Sequence, residues 1–394
     1  MKVVVIGGGV VGMFVSYYLL KSGCTVAIVD RDPDVRGASK YNAGLVVPSS
    51  TATPLIGSWR MIKSVSGMSH PITISLGQMI RNIPFFHSAL KGGLGAADKI
   101  VMDLSKKSLG LYFDFLKAES LDVDLVTGVL VVFARFSDAE AHSRIFGGDL
   151  VESDQLLHWG YSGFGGAVLH KDEIALNPGK LVRCLRSKLS EMGSAVLKGR
   201  SAHVVVEGKR TVGVEVDGEK VQGDAYVVAA GSWSRQLCQP LNYDPPLLPA
   251  RGFVMLFNTK GSVVQKPALL EDYGAVFSQH RQNVLRVTSF FEMVGFNESF
   301  SRGRMEWLLA ICRKHLSKSQ EMKLFETGCG FRPCTSDQLP IVGPIPGYDN
   351  AFVATGHCRL GLTLAPVTGY ALNSMINGKP SEIDVTGLSP SRFS

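Results

Sequence analysis

The feature that most constrains this chain is Gly7-Gly8-Gly9-Val10-Val11-Gly12, set between an apolar run and a helical pattern. Residues 2–6 read as a buried first strand; glycine interrupts them too soon for the apolar core of a signal peptide. Residues 13–21 carry helical periodicity, and Thr25-Val26-Ala27-Ile28-Val29-Asp30 reads as a second buried strand. In the resulting GxGxxG, Gly7 permits a tight turn, Gly9 lets backbone approach a pyrophosphate, and Gly12 lets helix and strand pack closely. The helix N-terminus, entered through Val10 and Val11, faces the phosphate charge. Asp30, followed by Arg31, ends the second strand about 20 residues on, where a carboxylate accepts hydrogen bonds from unphosphorylated ribose hydroxyls. The unit predicts a dinucleotide site, and by itself it leaves FAD and NAD open.

At 394 residues the chain has room for two intertwined domains. With 45% hydrophobic and 19% charged residues it has a globular profile. No stretch reaches the roughly 18–20 uninterrupted apolar residues of a spanning helix, so a cytoplasmic protein is expected. The net charge of +7 comes without a basic cluster interleaved with aromatics. It therefore indicates anionic ligands and surfaces rather than nucleic acid. Seven scattered cysteines lack CxxC spacing and are expected mostly as reduced, small core residues. Metal, paired-carboxylate and Ser–His–Asp chemistry have no support in the sequence.

The expected fold class is α/β plus α+β: a Rossmann-type nucleotide domain and a second domain built on a mostly antiparallel sheet. Strand-like segments at 128–134, 202–207, 212–216 and 226–230 and a helix at 181–192 fill the middle. Alternation at 252–258, 275–278 and 284–290 predicts antiparallel pairing. A helix is expected over 304–316, then a strand at 351–354 and a helix to about 376. The boundaries drawn are 1–50, 150–240 and 326–394 for the nucleotide domain, and 51–149 and 241–325 for the substrate domain. Residues 51–99 carry Arg60, Lys63, Arg81, Lys91 and Lys99 against a single Asp98. They read either as a basic helical cap or as a surface for a membrane or an electron acceptor.

Four further segments resemble the family of FAD-dependent amine oxidoreductases that includes D-amino-acid dehydrogenase, glycine oxidase and sarcosine oxidase. Ser39-Lys40-Tyr41-Asn42-Ala43-Gly44, with Pro48 beyond, is similar to a second flavin segment, closest to D-amino-acid dehydrogenases. The run 226–234, with Ala230, Gly231 and Trp233, resembles the strand and turn that close over the dinucleotide. Residues 328–343, GCGFRPCTSDQLPIVG, resemble GxRPxTxDxxPxxG, and residues 356–369, GHCRLGLTLAPVTG, resemble the matching stretch of glycine oxidases.

The resemblance implies FAD as cofactor. It places Val204, Gly356, His357, Leu360, Gly361, Leu362 and Thr363 near the flavin, beside the segments already named. Backbone donors and a helix N-terminus at 356–362 suit a ring that gains negative charge on reduction. In that helix Pro366 fits only in the first turn. Arg332, the arginine of GxRP, is implied to grip the substrate carboxylate through its fork of donors, with Arg359 lining the same site. Tyr273 is a further candidate near the substrate. Two departures stand out: Cys358 replaces the glycine that often follows the histidine, and Gly330 stands where sarcosine-oxidase-type enzymes carry the cysteine that attaches FAD. Non-covalent FAD is expected.

The implied reaction is oxidative deamination of a small amino acid, whether a D-amino acid, glycine or a proline-like imino acid. A hydride passes from Cα to flavin N5, and the electrons go on to a quinone or dye-type acceptor or partner subunit. Amino-acid oxidation using O2, a flavoprotein 2-hydroxy-acid or glycerol-phosphate dehydrogenase, and a non-catalytic FAD-holding subunit remain open alternatives.

Overall fold

The computed structural model describes residues 1–32, 37–50, 71–91, 96–199, 201–280 and 283–393. Two sheets organise them. The first has six strands in the order Ile341–Pro344, Ala351–Thr355, Ala225–Val228, Lys2–Ile6, Thr25–Asp30, Ala195–Lys198. All its pairings are parallel except that between Ile341–Pro344 and Ala351–Thr355. Its inner strands are runs of Val, Ile and Ala buried on both faces, as a parallel sheet covered by helices requires, while the edge strand Ala195–Lys198 is largely exposed. The helices Val10–Lys21 and Gly361–Ile376 pack on it and share one apolar core with Pro178–Glu191.

The second sheet has ten strands, led by the antiparallel neighbours Lys323–Thr335, Leu247–Asn258, Val284–Met293 and Ala275–His280. Along its main path Ala268–Leu270 with Val126–Phe133 is the parallel pair, and off that path Ile72–Ile74 adds a second, short parallel partner to Val284–Met293. A three-stranded antiparallel sheet, Ala202–Glu207, Arg210–Val216 and Glu219–Val221, stands apart. This is the expected α/β plus α+β architecture.

Sheet membership divides the chain differently from the boundaries drawn on sequence. Gly166–Ala175 and Asp149–Glu152 pair within the ten-stranded sheet, so the chain returns to the nucleotide side only at the helix Pro178–Glu191. Asn177 starts that helix, its side chain accepting from Lys180 N–H, with proline just inside. The helix Ala96–Ala118, expected in the substrate domain, buries Val101, Leu104, Tyr112 and Phe115 in the nucleotide-side core. Residues 51–70, including Arg60 and Lys63, lie outside the described residues.

Pro366 also departs from expectation. The helix begins at Gly361, so this proline falls in its second turn rather than its first. Proline has no N–H to offer the carbonyl four residues back. That carbonyl belongs to Leu362, and the Tyr112 hydroxyl donates to it at 2.7 Å. The next N–H, of Val367, donates to Ser108 Oγ at 3.3 Å. One helix thus satisfies the polar groups that proline disturbs in another, which is why Ala96–Ala118 docks here. Tyr112→Phe leaves a buried carbonyl unpaired and is expected to cost about 1–3 kcal/mol. Urea or thermal unfolding against the wild type reads this loss.

Candidate functional site

A cavity of about 640 Å³ runs from the glycine turn to the two arginines, Arg332 and Arg359. At its nucleotide end Gly7 has φ 118°, and a side chain there would meet Ala229 O at 2.3 Å. A Cβ on Gly12 would lie 2.0 Å from Gly7 O, so only glycine lets this helix sit so close to the strand. The Asp30 carboxylate accepts from Gly8 N–H and, at 2.7 Å, from Asp32 N–H, which holds it at the cavity wall. Ser39 Oγ accepts from Val10 N–H at 3.0 Å, joining the second segment to the helix start. The strand–turn–helix, the carboxylate and an elongated cavity beyond them fit a flavin dinucleotide.

Asn42 shapes the next turn, donating to Ser39 O and accepting from Gly44 N–H, both at 2.7 Å. Asn42 lines the cavity. Ala43 and Gly44 do not; Ala43 O accepts from Ser278, and Gly44 O from Leu176 N–H. Arg286 is buried and donates to the carbonyls of Lys40 and Asn42, pinning this turn to the antiparallel sheet. Ala230, Gly231 and Trp233 also line the cavity, and Arg31 lies 3.8 Å over the Trp233 ring. Val204 is packed in a separate apolar core, while its neighbours Ala202 and His203 reach the wall.

At the far end Arg332 stands on the strand Lys323–Thr335. Its Nη1 donates to Phe290 O at 2.9 Å. That carbonyl is aimed by a bulge: between the pairs Arg251–Glu292 and Phe253–Ser289, Gly252 alone opposes Phe290 and Phe291. Phe290 takes a left-handed φ of 71° there. Gly252 makes room for the guanidinium, since a Cβ on it would lie 2.3 Å from the Arg332 nitrogens. Burial, together with the charge of Arg359, pushes the Arg332 guanidinium down to about 10, so it remains a cation at neutral pH. Among the described residues no carboxylate forms an ion pair with it.

His357 lines the cavity but is buried, with Nε2 at 2.9 Å from Thr368 Oγ1. Burial pushes its imidazole down to about 3, which favours the neutral ring at neutral pH. Gly361 and Leu362 line the wall at the start of their helix. Gly356, Leu360 and Thr363 support that turn from behind: Gly356 has φ 78°, Leu360 N–H closes on His357 O, and Thr363 reaches Leu45 O. Tyr273 is placed elsewhere. Its hydroxyl meets His315 Nε2 at 2.9 Å and Lys314 at 3.3 Å, outside the cavity.

Tyr41 and Phe331 reach the cavity without having been singled out from sequence. Tyr41 belongs to the Ser39–Gly44 segment, and the glycines packed against that segment, Gly328 on Tyr41 and Gly330 on Ala38, belong to GCGFRP. A Cβ on Gly328 would lie 2.6 Å from the Tyr41 ring, and one on Gly330 2.6 Å from Ala38 Cα. No side chain fits at 330, which accounts for glycine where a flavin-attaching cysteine stands in other enzymes. Cys358 is bonded to Cys334, against the expectation of reduced cysteines; Cys24, Cys238 and Cys312 are buried free thiols as expected.

Comparison with known proteins agrees with this geometry. The profile of the FAD dependent oxidoreductase family matches residues 2–375. Glycine oxidase of Pseudomonas aeruginosa is 27% identical over 392 residues, covering 99% of this chain and 98% of that one. Glycine oxidase from Geobacillus kaustophilus superposes with TM-score 0.79 at 19% identity, covering 99% of each chain. L-proline dehydrogenase from P. horikoshii superposes with TM-score 0.75 at 16% identity, covering 100% of this chain and 97% of that one.

Gly252→Ala tests the arginine seat. The nearest atoms to the new methyl are the far end of a flexible side chain, so Arg332 moves and the fold stays. Thermal stability is expected to hold, and affinity for a simple carboxylate to fall roughly tenfold, read by perturbation of the flavin spectrum.

Proposed function

This chain belongs to the FAD-dependent oxidoreductase family, and we propose that it oxidatively deaminates a small amino acid. The observation that carries this reading is the Arg332 guanidinium, held in the cavity wall without a carboxylate partner among the described residues. A cation desolvated beside a second guanidinium favours an anion of its own size, and a carboxylate matches the planar fork of donors.

The glycine turn, Asp30, Ser39 and Asn42 would hold FAD, which when bound would supply a two-electron acceptor for the hydrogen leaving Cα. Arg332 and Arg359 orient the substrate through its carboxylate, with the Phe290 carbonyl fixing the Arg332 guanidinium from behind. Trp233 and Phe331, packed edge to face, give the cavity an apolar wall that limits water. His357 takes no proton, because its buried ring stays neutral. The amine must itself be neutral for Cα–H transfer, and the resulting imine hydrolyses to a 2-oxo acid and ammonia. Catalysis on this reading is positioning and electrostatics.

Anaerobic absorbance titration with D- and L-amino acids, glycine, proline and 2-hydroxy acids tests the proposal. Bleaching of the yellow protein by an amino acid is expected; bleaching by hydroxy acids alone overturns it. In Arg332→Gln the same titration is expected to need roughly 10- to 100-fold more substrate, from the loss of charge-assisted hydrogen bonds.

For the electron acceptor, the reading includes a peripheral contact with an anionic membrane surface that holds a quinone. No helix among the described residues is long and apolar enough to cross a membrane. The helices Leu76–Arg81 and Ile83–Lys91 instead expose Leu76 (66%), Ile80 (62%), Ile83 (62%) and Leu90 (61%). There is no Asp or Glu between residues 35 and 97, so nothing in this segment repels anionic lipid. Co-sedimentation with phosphatidylglycerol-containing vesicles is expected, weakened by high salt and by the combined substitution Leu76→Ser, Ile80→Ser and Ile83→Ser. Equal recovery with and without vesicles removes this part of the reading.

A further inference from the structure

The carboxylate end of the cavity contains a cross-link that the proposed reaction does not use. Cys334 lies two residues beyond Arg332 on the strand Lys323–Thr335, and Cys358 lies one residue before Arg359 in the turn Cys358–Leu360. A disulfide joins them, with Cα atoms 4.3 Å apart and a sequence separation of 24. Cys334 also pairs through its backbone with His357. The bond therefore ties the segment carrying one arginine to the segment carrying the other.

Cys358 has φ 47°, in the left-handed region that side chains of L-residues rarely adopt. Glycine would take this conformation freely. A cysteine there needs something to hold it, and the bond to Cys334 is the covalent tie available. Cys334 is buried among Phe85, Phe86 and Phe291, on a strand paired along its length, so it is the fixed end. Cys358 is half-buried and lines the cavity, so it is the end that moves and the sulfur that a small thiol can reach.

We propose that the Cys334–Cys358 disulfide is a redox-sensitive positioning element for Arg359 and the turn that starts the helix Gly361–Ile376. Oxidised, it keeps the turn left-handed at residue 358 and Arg359 facing Arg332. A small dithiol reduces it: two electrons and two protons pass to the protein sulfurs, giving two cysteine thiols, and the dithiol becomes a cyclic disulfide. Cys358 is then free to leave the left-handed region, and Arg359 leaves the site with it. Reoxidation by a disulfide of the same class restores the tie. The residues act through Arg359, so binding of the carboxylate changes more than the chemical step. This inference rests on the carboxylate reading proposed above.

The test uses the flavin-loaded enzyme purified without reductant. Thiol counting under denaturation is expected to find five free thiols, the cysteines outside the bond, and seven after dithiothreitol. Binding of acetate or benzoate, read from the flavin spectrum, is expected to weaken roughly tenfold on reduction. KM for the amino acid should rise with it while kcat changes little. Cys334→Ser is expected to show the weaker binding with and without dithiothreitol. In Cys358→Gly binding no longer responds to reductant, because glycine holds the turn unaided. Seven thiols at the outset overturn the proposal, as does carboxylate binding that reduction leaves unmoved or a reductant effect that survives in Cys334→Ser. Because thiol counting and carboxylate binding do not need turnover, a protein that responds to dithiothreitol but oxidises no amino acid overturns the substrate reading alone.

Discussion

One face of the strand Lys323–Thr335 meets the nucleotide domain at backbone distance, and much of the site depends on that approach. Residues 328, 330, 332 and 334 share this face by the two-residue repeat of a strand. The first two are glycines, and side chains there would collide with the Tyr41 ring and Ala38 backbone. The turn that carries Ser39 and Asn42 therefore rests directly on the substrate sheet, where Arg286 fastens it through the carbonyls of Lys40 and Asn42. The third residue on the face is Arg332 and the fourth is Cys334. The contact with the turn of residues 38–44, the guanidinium in the cavity wall and the cross-link follow one another along a single line of side chains.

A guanidinium in such a wall is costly unless its charge is answered. Here one carbonyl answers part of it, from a residue made left-handed by a bulge. Arg359 adds repulsion rather than relief. Among the described residues no carboxylate completes the neutralisation, which is the observation on which the proposed carboxylate site rests. The neutral, hydrogen-bonded His357 fits the same economy, since it fixes the turn without adding a third positive charge.

Support for the helix Gly361–Ile376 comes from the other side. Pro366 interrupts the hydrogen bonding of the helix Gly361–Ile376 one turn after its start, and Tyr112 and Ser108 repair the interruption. A helix expected in the substrate domain is thereby committed to the nucleotide domain. The start of this helix is held from behind by side-chain hydrogen bonds and in front by the disulfide at Cys358.

What the sequence determined by itself is what short-range physics writes into neighbouring residues. GxGxxG between an apolar run and a helical pattern, with Asp30 ending the next strand, has one economical fold, and the strands at 252–258 and 284–290 declare themselves by alternation. That Arg332 and Arg359 line one cavity was legible through motif resemblance, because their neighbours Gly330 and Gly356 sit where backbone geometry allows little choice. What only the tertiary structure decided are the relations between distant segments. Sheet membership of Gly166–Ala175 depends on partners far along the chain, and buried strands of either domain read alike. Tyr273 lay close to a site strand in sequence yet turned to His315, and Val204 faced a core while the adjacent His203 faced the cavity, because a one-residue step reverses the side of a strand. The bond between Cys334 and Cys358 was hidden for the same reason: contact across 24 residues is a property of the assembled fold, and cysteine spacing alone carries no distance.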